Sequence, residues 1–239
     1  HIIGSGIFLL TLSVYVKTMA PTVSFWDCGE FIATAYTMSV PHPPGAPLYV
    51  LIGRVFTLFP FGEVAARINF MSALSSALAI WCVYLTTAAL GRRALGGQSL
   101  KTFGDHRDIG VIAGAAVAAL TLAFSYTQWY NAAEAEVYGY SILFTCLGLW
   151  LIVYWEGTGH GQENDRWLFA IAYLFGLGGG LHMLCLLTIP SLLILAWFSD
   201  SRLQRLIVQL LGLSIIGFVA ILVLGPGTPS NAAMGLGLL

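Results

Sequence analysis

The chain has 239 residues, of which 58% are hydrophobic and only 9% are charged, and its net charge at pH 7 is −1. Soluble domains carry about 25% charged residues, so this composition excludes an ordinary soluble domain and indicates a protein solvated mostly by lipid. The sequence has no basic stripe with interleaved aromatic residues, which argues against a nucleic-acid partner. Its four cysteines lack C-x-x-C spacing, which argues against a disulfide framework or a zinc site.

The first half of the chain predicts two membrane spans separated by a long loop. A helix needs about 20 apolar residues to cross a hydrocarbon core of about 30 Å, and residues 2–20 and 67–90 meet that requirement. The loop at 21–46 is polar, and a short helix is expected within it at 30–40. Residues 47–61 are apolar but too few to span, which predicts an interfacial or re-entrant helix.

The second half predicts three further spans and a broken hairpin. The spans are residues 109–127, 137–155 and 206–224, with a polar turn at 128–136. Residues 167–198 carry no charge and are too many for one ordinary helix, and a cluster of glycines interrupts them. Broken backbone at membrane depth is tolerated where it is buried in protein or lines a wet cavity. We therefore expect a helical hairpin that turns inside the membrane.

The distribution of basic residues orients this arrangement. Seven of the ten lysines and arginines lie in three loops, at residues 91–108, 156–166 and 199–205. Loops rich in lysine and arginine stay in the cytoplasm, so the loop at 21–46 and the turn at 128–136 are predicted to face outward. We expect residues 1–239 to be one all-α integral membrane domain with about five full spans, and the N-terminal fragment of a longer protein.

Two acids in the first outward loop, Asp27 and Glu30, lie three positions apart. Residues at this spacing are neighbours on one face of a helix, so the pair could supply a general base and an orienting or metal-binding partner. The same spacing is also typical of a capping box, with Asp27 at the N-cap and Glu30 at N3. The spacing alone leaves both interpretations open.

Farther along this loop, His42 lies within Pro-His-Pro-Pro-Gly. The prolines stiffen the backbone, and a rigid turn alone needs no imidazole. His42 is therefore a candidate for substrate binding, with a structural hydrogen bond as the equal alternative.

The second outward turn contributes Glu134, Glu136 and Tyr138. Acids that precede a helix stabilise its dipole, and tyrosine is common in the aromatic belt at a membrane surface. Carboxylates among aromatic rings also suit a sugar-binding site, in which the rings stack on a pyranose and the carboxylates accept its hydroxyl groups.

Three more residues are candidates for substrate binding. Arg54 and Arg67 are basic residues on the outward side, where either could pair with a phosphate or snorkel to lipid head groups. His182 follows the glycine cluster at membrane depth, where polar residues are usually functional. An imidazole that caps broken backbone is the rival interpretation of His182.

Carboxylates, arginines and aromatic rings around an outward cavity suit a sugar donor linked to a lipid phosphate. The lipid tail would stay in the bilayer, an arginine would neutralise the leaving phosphate, and a carboxylate would deprotonate the acceptor hydroxyl. Two other classes stay open. One is a transporter or flippase that uses the broken hairpin, although the internal repeat expected of such proteins is not found. The other is a non-catalytic subunit of a larger membrane assembly.

Several segments of the chain resemble a known membrane family. They read Trp-Asp-Cys-Gly-Glu and Pro-His-Pro-Pro-Gly, then Ala-Arg-Ile-Asn-Phe-Met-Ser-Ala-Leu, Ala-Glu-Ala-Glu-Val-Tyr and Gly-Leu-Gly-Gly-Gly-Leu-His. The family was long labelled a domain of unknown function. It is related to protein O-mannosyltransferases, and it includes the animal enzyme that acts on IPT domains of plexin-type receptors.

The resemblance implies a GT-C glycosyltransferase bundle that transfers a sugar, mannose in the family, from a polyprenyl-phosphate donor to an acceptor protein at the outer face. By the same resemblance Asp27 is the catalytic base, Glu30 is its partner and Arg67 binds the donor phosphate. A divalent metal could be used as well, if further ligands join Asp27 and Glu30.

Overall fold

The computed structural model of the chain describes residues 2–43, 45–95, 106–157 and 165–199, together with residue 209. All regular structure in these ranges is helical, as the sequence predicts. The elements are α1 (Ile2–Thr18), α2 (Cys28–Thr37), α3 (Pro47–Thr57), α4 (Val64–Ala94), α5 (His106–Ala123), α6 (Tyr126–Ala132), α7 (Val137–Gly157), α8 (Asp165–Gly179), a 3-10 helix (Met183–Thr188) and α9 (Ile189–Ser199).

The chain divides into two compact units, His1–Leu192 and Leu193–Leu239. The first unit contains every element up to the start of α9. In the second, the described residues are the end of α9 and residue 209. The predicted span at 206–224 therefore lies outside the described residues, apart from that single position.

Two helices, α4 with 31 residues and α7 with 21, are long and apolar enough to cross a membrane. Helices α5 and α6 together make a third candidate, with a bend of 64° between them. Helices α1 and α3 and the helical segments around the glycine cluster are apolar but shorter. The described residues thus contain two or three candidate spans, and the predicted count of about five is not confirmed.

Helix α4 lies at the centre of the first unit and packs against α1, α5 and α7. The contact with α7 is very close, because a Cβ added at Gly139 would lie 3.0 Å from Ser75 Oγ and 3.1 Å from Ser76 Oγ. Small residues let helix backbones approach in this way within a membrane. The contact holds the start of α7, and with it the acidic turn before that helix, against α4.

Helices α2 and α3 are two short helices that follow α1 and precede α4 in the chain. The helix expected at 30–40 is α2, which ends where Met38 adopts a left-handed φ of 57°. The helix expected at 47–61 is α3, which begins with a proline at its first position, where the missing N–H costs nothing. A Cβ added at Gly53 would lie 2.7 Å from Ala35 Cβ, so the two helices are in direct contact.

The glycine cluster ends α8 at Gly179, and a turn precedes the 3-10 helix. The break predicted within residues 167–198 is confirmed, whereas its reversal inside the membrane stays a prediction. The Leu48 amide donates a hydrogen bond to the carbonyl of Gly180 over 2.9 Å. This bond satisfies backbone that the break frees, and it brings the residues after the break against the start of α3.

The polar turn predicted at 128–136 is wrong in its first part, because residues 126–132 form helix α6. The segment contains neither glycine nor proline, so nothing in its composition opposes a helix. Ser125 is extended, with φ −66° and ψ 143°, and this residue separates α6 from α5. Only residues 133–136 remain as a connection to α7.

Candidate active site

An open pocket of about 170 Å³ lies where α2, the loop before α3, the turn before α7 and the glycine break meet. It brings together five of the residues that the sequence singles out. Its lining is Asp27, Phe31, His42, Pro43, Gly45, Ala46, Glu136, Val137, Tyr138, Leu181 and His182. The volume is below the ~300–1,000 Å³ of pockets for drug-sized ligands.

Asp27 occupies the N-cap position of α2, but its side chain makes no capping hydrogen bond. The predicted capping box is therefore wrong. The preceding residue, Trp26, has a φ of 61°, a region that costs a bulky residue about 1–3 kcal/mol and that is found mostly at functional sites. The Asp27 carboxylate is exposed at the pocket and has no hydrogen-bond or ion-pair partner in the described part of the chain.

Glu30 turns toward the loop before α3 instead of toward the N-cap. Its Oε1 accepts a hydrogen bond from the backbone N–H of His42 over 2.6 Å, and its Oε2 lies 2.8 Å from His42 Nδ1. Each group stabilises the charged form of the other, so the pKa of Glu30 is lowered and the pKa of His42 is raised. Glu30 does not line the pocket.

His42 has both of the roles that the sequence left open for it, because it makes a structural hydrogen bond and also lines the pocket. Its ring lies 5.6 Å from the ring of Phe31, which packs in turn at 5.1 Å on Tyr49. The carbonyl of His42 accepts a hydrogen bond from the amide of Gly45, which has a φ of +92° that favours glycine. The imidazole is thus held from several sides.

Glu134 and Glu136 precede α7 and are both buried. Ser24 Oγ donates a hydrogen bond of 2.6 Å to Glu134 Oε2, and the thiol of Cys28 lies 3.8 Å from Glu136 Oε1. Glu136 lines the pocket, whereas Glu134 does not. Burial and then the nearby charges of Asp27 and Glu134 raise the pKa of Glu136 to about 7. This acid is therefore about half protonated at neutral pH.

Arg54 and Arg67, the two arginines predicted to face outward, are engaged with backbone carbonyls. Arg67 donates to the carbonyls of Thr57, Phe61 and Gly62 over 2.6, 2.6 and 2.8 Å, and Arg54 donates to the carbonyl of Tyr36 over 2.7 Å. Neither arginine lines the pocket. The structure thus gives Arg67 a structural position at the end of α3, and its binding of donor phosphate stays a prediction.

His182 and Tyr138 line the side of the pocket formed by the glycine break and the start of α7. Their rings lie 5.6 Å apart. His182 Nδ1 accepts a hydrogen bond from the amide of Leu184 over 3.2 Å and so caps the 3-10 helix. The rival interpretation of this histidine, as a cap on broken backbone, describes its contact correctly.

Sequence reasoning missed two polar residues that hold the loop after α1 in place. Asn69 Nδ2 donates to the carbonyls of Ala20 and Thr22 over 2.7 and 3.0 Å, and Ser24 binds Glu134 as described. An asparagine within an apolar helix is expensive in a membrane unless it has a partner, so Asn69 carried a signal. Ser24 carried none.

Asp27, Glu30 and His42 form the group of described residues that could share a metal ion, since one ligand atom of each lies within 4.8 Å of the others. Both oxygens of Glu30 already bind His42. A metal ion held by all three residues would compete with His42 for the oxygens of Glu30.

Comparison with known proteins identifies related sequences. The sequence-family model described as protein O-mannosyl-transferase TMEM260 N-terminal domain matches residues 27–205. Protein O-mannosyl-transferase TMEM260 of Mus musculus is 31% identical over 173 residues, which cover 72% of this chain and 22% of the relative. Its counterpart in Dictyostelium discoideum is 29% identical over 198 residues, covering 77% of this chain and 22% of the relative.

The chain thus spans about a fifth of the length of the curated relatives it matches. No solved structure matches it.

Proposed function

This chain belongs to the family of TMEM260 protein O-mannosyl-transferase N-terminal domains, and we propose that it forms the active-site part of a membrane glycosyltransferase. The proposed reaction moves mannose from a polyprenyl-phosphate donor to a hydroxyl group of an acceptor protein. The names of the mouse and Dictyostelium relatives support mannosyl transfer to a protein oxygen. The apolar helices around the pocket support a donor whose lipid chain stays in the bilayer.

The observation that carries the proposal is the pocket itself, which joins an exposed Asp27 to a buried Glu136. In the proposed step the acceptor oxygen attacks the anomeric carbon of the sugar. The bond between that carbon and the phosphate oxygen breaks, and its electron pair leaves with the polyprenyl phosphate. The hydroxyl proton passes to the carboxylate of Asp27, which has no other described partner and is free to act as a general base.

Glu136 is proposed to bind the sugar. A carboxyl group with a pKa of about 7 is partly protonated at neutral pH, and its protonated form can donate a hydrogen bond as well as accept one, which suits a sugar hydroxyl. Tyr138 beside it offers a ring for the pyranose face. Glu134 acts indirectly, by holding Ser24 and thus the loop that carries Asp27.

The proposed orientation puts the pocket at the outer face of a multi-pass protein, because the arginine-rich and lysine-rich loops are expected in the cytoplasm. The proposed reaction uses no divalent metal in any step, and Glu30, one of the residues that could share an ion with Asp27, is paired with His42 instead. We therefore expect mannose transfer to continue when EDTA removes divalent metal ions.

Replacement of Asp27 by asparagine tests the proposal. In proteoliposomes supplied with mannosyl-phosphoryl-polyprenol and an acceptor domain, D27N should lower kcat by about 10²–10⁴, the range for loss of a general base, while the protein still folds. Glu63→Gln is the matched control, because Glu63 is also exposed, has no side-chain capping bond and lies outside the pocket. Unchanged transfer by D27N would contradict the assignment of the base. Movement of the lipid donor across the bilayer without any covalent product would favour a transporter.

A further inference from the structure

A phosphate in the pocket needs a positive partner, and the described lining offers few. Asp27 and Glu136 both line the pocket, whereas no lysine or arginine does so. The two outward arginines donate to backbone carbonyls instead. Within the described part of the chain, His42 and His182 are therefore the lining side chains that can carry a positive charge.

His182 uses one ring nitrogen to hold the backbone. Its Nδ1 accepts a hydrogen bond from the amide of Leu184 over 3.2 Å and caps the 3-10 helix. Only Nε2 of this ring is left for a ligand, and no carboxylate pairs with the ring among the described residues.

His42 is held in the opposite way. A carboxylate only accepts hydrogen bonds, so the contact of 2.8 Å between Glu30 Oε2 and His42 Nδ1 requires the proton to be on Nδ1. Nε2 is then the nitrogen left for a ligand, and it has no hydrogen-bond partner among the described residues. A histidine oriented by a carboxylate at one nitrogen commonly acts through the other.

The surroundings of His42 also favour its charged form. Glu30 raises the pKa of His42 most, and Asp27 and Glu136, which face it across the pocket, raise it further. Tyr138 and His182 line the remaining side of the pocket.

We propose that His42 is the cation that binds the donor phosphate in this pocket, and that Glu30 is a positioning residue that acts through His42. The inference rests on the proposed function and assigns to that site a phosphate group carried by a lipid. When the sugar leaves, negative charge grows on the phosphate, and an imidazolium already fixed in place stabilises that charge at little reorganisation cost. Glu30 is then not the catalytic partner of Asp27.

Binding of farnesyl phosphate to the purified protein in phosphatidylcholine nanodiscs tests the inference without any sugar transfer. At pH 6.5, His42→Gln should weaken binding about tenfold, the size expected for one charge-assisted hydrogen bond. Farnesol and inorganic phosphate are the comparison ligands, and both should bind more weakly than farnesyl phosphate. D27N should bind as tightly as the wild type or more tightly, because it removes a negative charge beside the phosphate.

The pH profile separates positioning from a merely structural role. A phosphate monoester itself titrates near pH 6, so the readout is the ratio of Kd values between H42Q and wild type at each pH. The ratio should be largest below the folded pKa of His42 and should fall toward one as the pH rises through it. Glu30→Gln lowers that pKa, so binding in E30Q should be lost at lower pH than in wild type, while E63Q should leave the profile unchanged.

Several results would overturn the inference. Equal binding by H42Q and wild type would exclude His42 as the phosphate partner, and a loss in E30Q without a shifted pH midpoint would exclude positioning. Inorganic phosphate bound as tightly as farnesyl phosphate would exclude a lipid-linked ligand, and binding that requires Mg²⁺ would replace the imidazolium by a metal. A wild type that binds farnesyl phosphate through His42 yet transfers no mannose would overturn the proposed function and support this inference.

Discussion

The acids of the pocket region come from two segments that hold them in opposite environments. The loop after α1 and the first turn of α2 leave Asp27 and Glu30 exposed, whereas the turn before α7 buries Glu134 and Glu136. Neighbours in sequence also have different partners within each segment. Glu30 binds His42 and Asp27 has no described partner, while Glu134 binds Ser24 and Glu136 faces the pocket.

The comparison teaches that residue type and spacing say little about what a carboxyl group can do here. An exposed carboxylate without a partner is open to the hydroxyl of an acceptor, which suits a base. A buried acid whose pKa is raised to about 7 is partly protonated at neutral pH, and its protonated form can donate a hydrogen bond. One site can obtain two functions from two acids in different environments, and the proposed roles of the exposed Asp27 and the buried Glu136 follow this principle.

Glu136→Gln should produce the largest change in stability. The pKa of Glu136 rises on folding from 4.5 to about 7, so the folded state binds more protons than the unfolded state between these values. The free energy of unfolding should therefore fall by at most about 3 kcal/mol as the pH rises from 4.5 to 7. Above pH 7 it should stay level. Thermal unfolding in detergent at pH 5 and pH 8 measures this difference.

E136Q removes that ionisable group and should flatten the profile, so its melting temperature relative to wild type should increase from pH 5 to pH 8. Glu63→Gln serves as the matched comparison, because Glu63 is exposed and lies outside the pocket, so this variant should keep the pH profile of the wild type. Equal pH profiles for wild type and E136Q would mean that burial does not raise the pKa of Glu136.

Local patterns predicted the elements that depend on local properties. The short helix after Asp27, the apolar helix at 47–61 and the break at the glycine cluster follow from composition and hydropathy, and each is present. The identity of the pocket residues was also largely predicted, since Asp27, His42 and Glu136 share one cavity. These residues were predicted because they lie in polar segments between apolar helices, Asp27 and His42 in the loop at 21–46 and Glu136 in the turn at 128–136.

Side-chain partners were not predicted, because they depend on packing between distant parts of the chain. Glu30 could serve a capping box or a catalytic pair by spacing, yet it binds a histidine 12 positions away. Ser24 and Glu134 meet across 110 positions. Arg67 had the right charge for a phosphate, but the end of α3 presents three carbonyls to its guanidinium. Sequence patterns indicate which groups are present and leave open which of them meet.

Arg67→Lys tests whether the contacts of a charged residue, more than its residue type, decide its role, as they do for the acids. A lysine can keep at most part of the three carbonyl contacts, and loss of two hydrogen bonds should cost about 2 kcal/mol of stability. The KM for the lipid donor should not change. Arg54→Lys is the matched control with a smaller loss, since Arg54 makes one short bond to a carbonyl, that of Tyr36. A raised donor KM in R67K alone would restore the role that the sequence predicted for Arg67.

The smallest expected effect concerns the hydrogen bond between Ser24 and Glu134, one of the contacts that join the two acidic segments. Ser24→Ala removes the donor to Glu134 Oε2 and leaves a buried carboxylate oxygen without that partner, which should cost about 1 kcal/mol. Ser13→Ala is the matched control, because the hydroxyl of Ser13 bonds only within α1, to the carbonyl of Leu9. If the bond also fixes the loop that carries Asp27, S24A should lower kcat for mannose transfer while the donor KM stays the same. A kcat equal to that of S13A would mean that the buried segment stabilises the fold without positioning the exposed base.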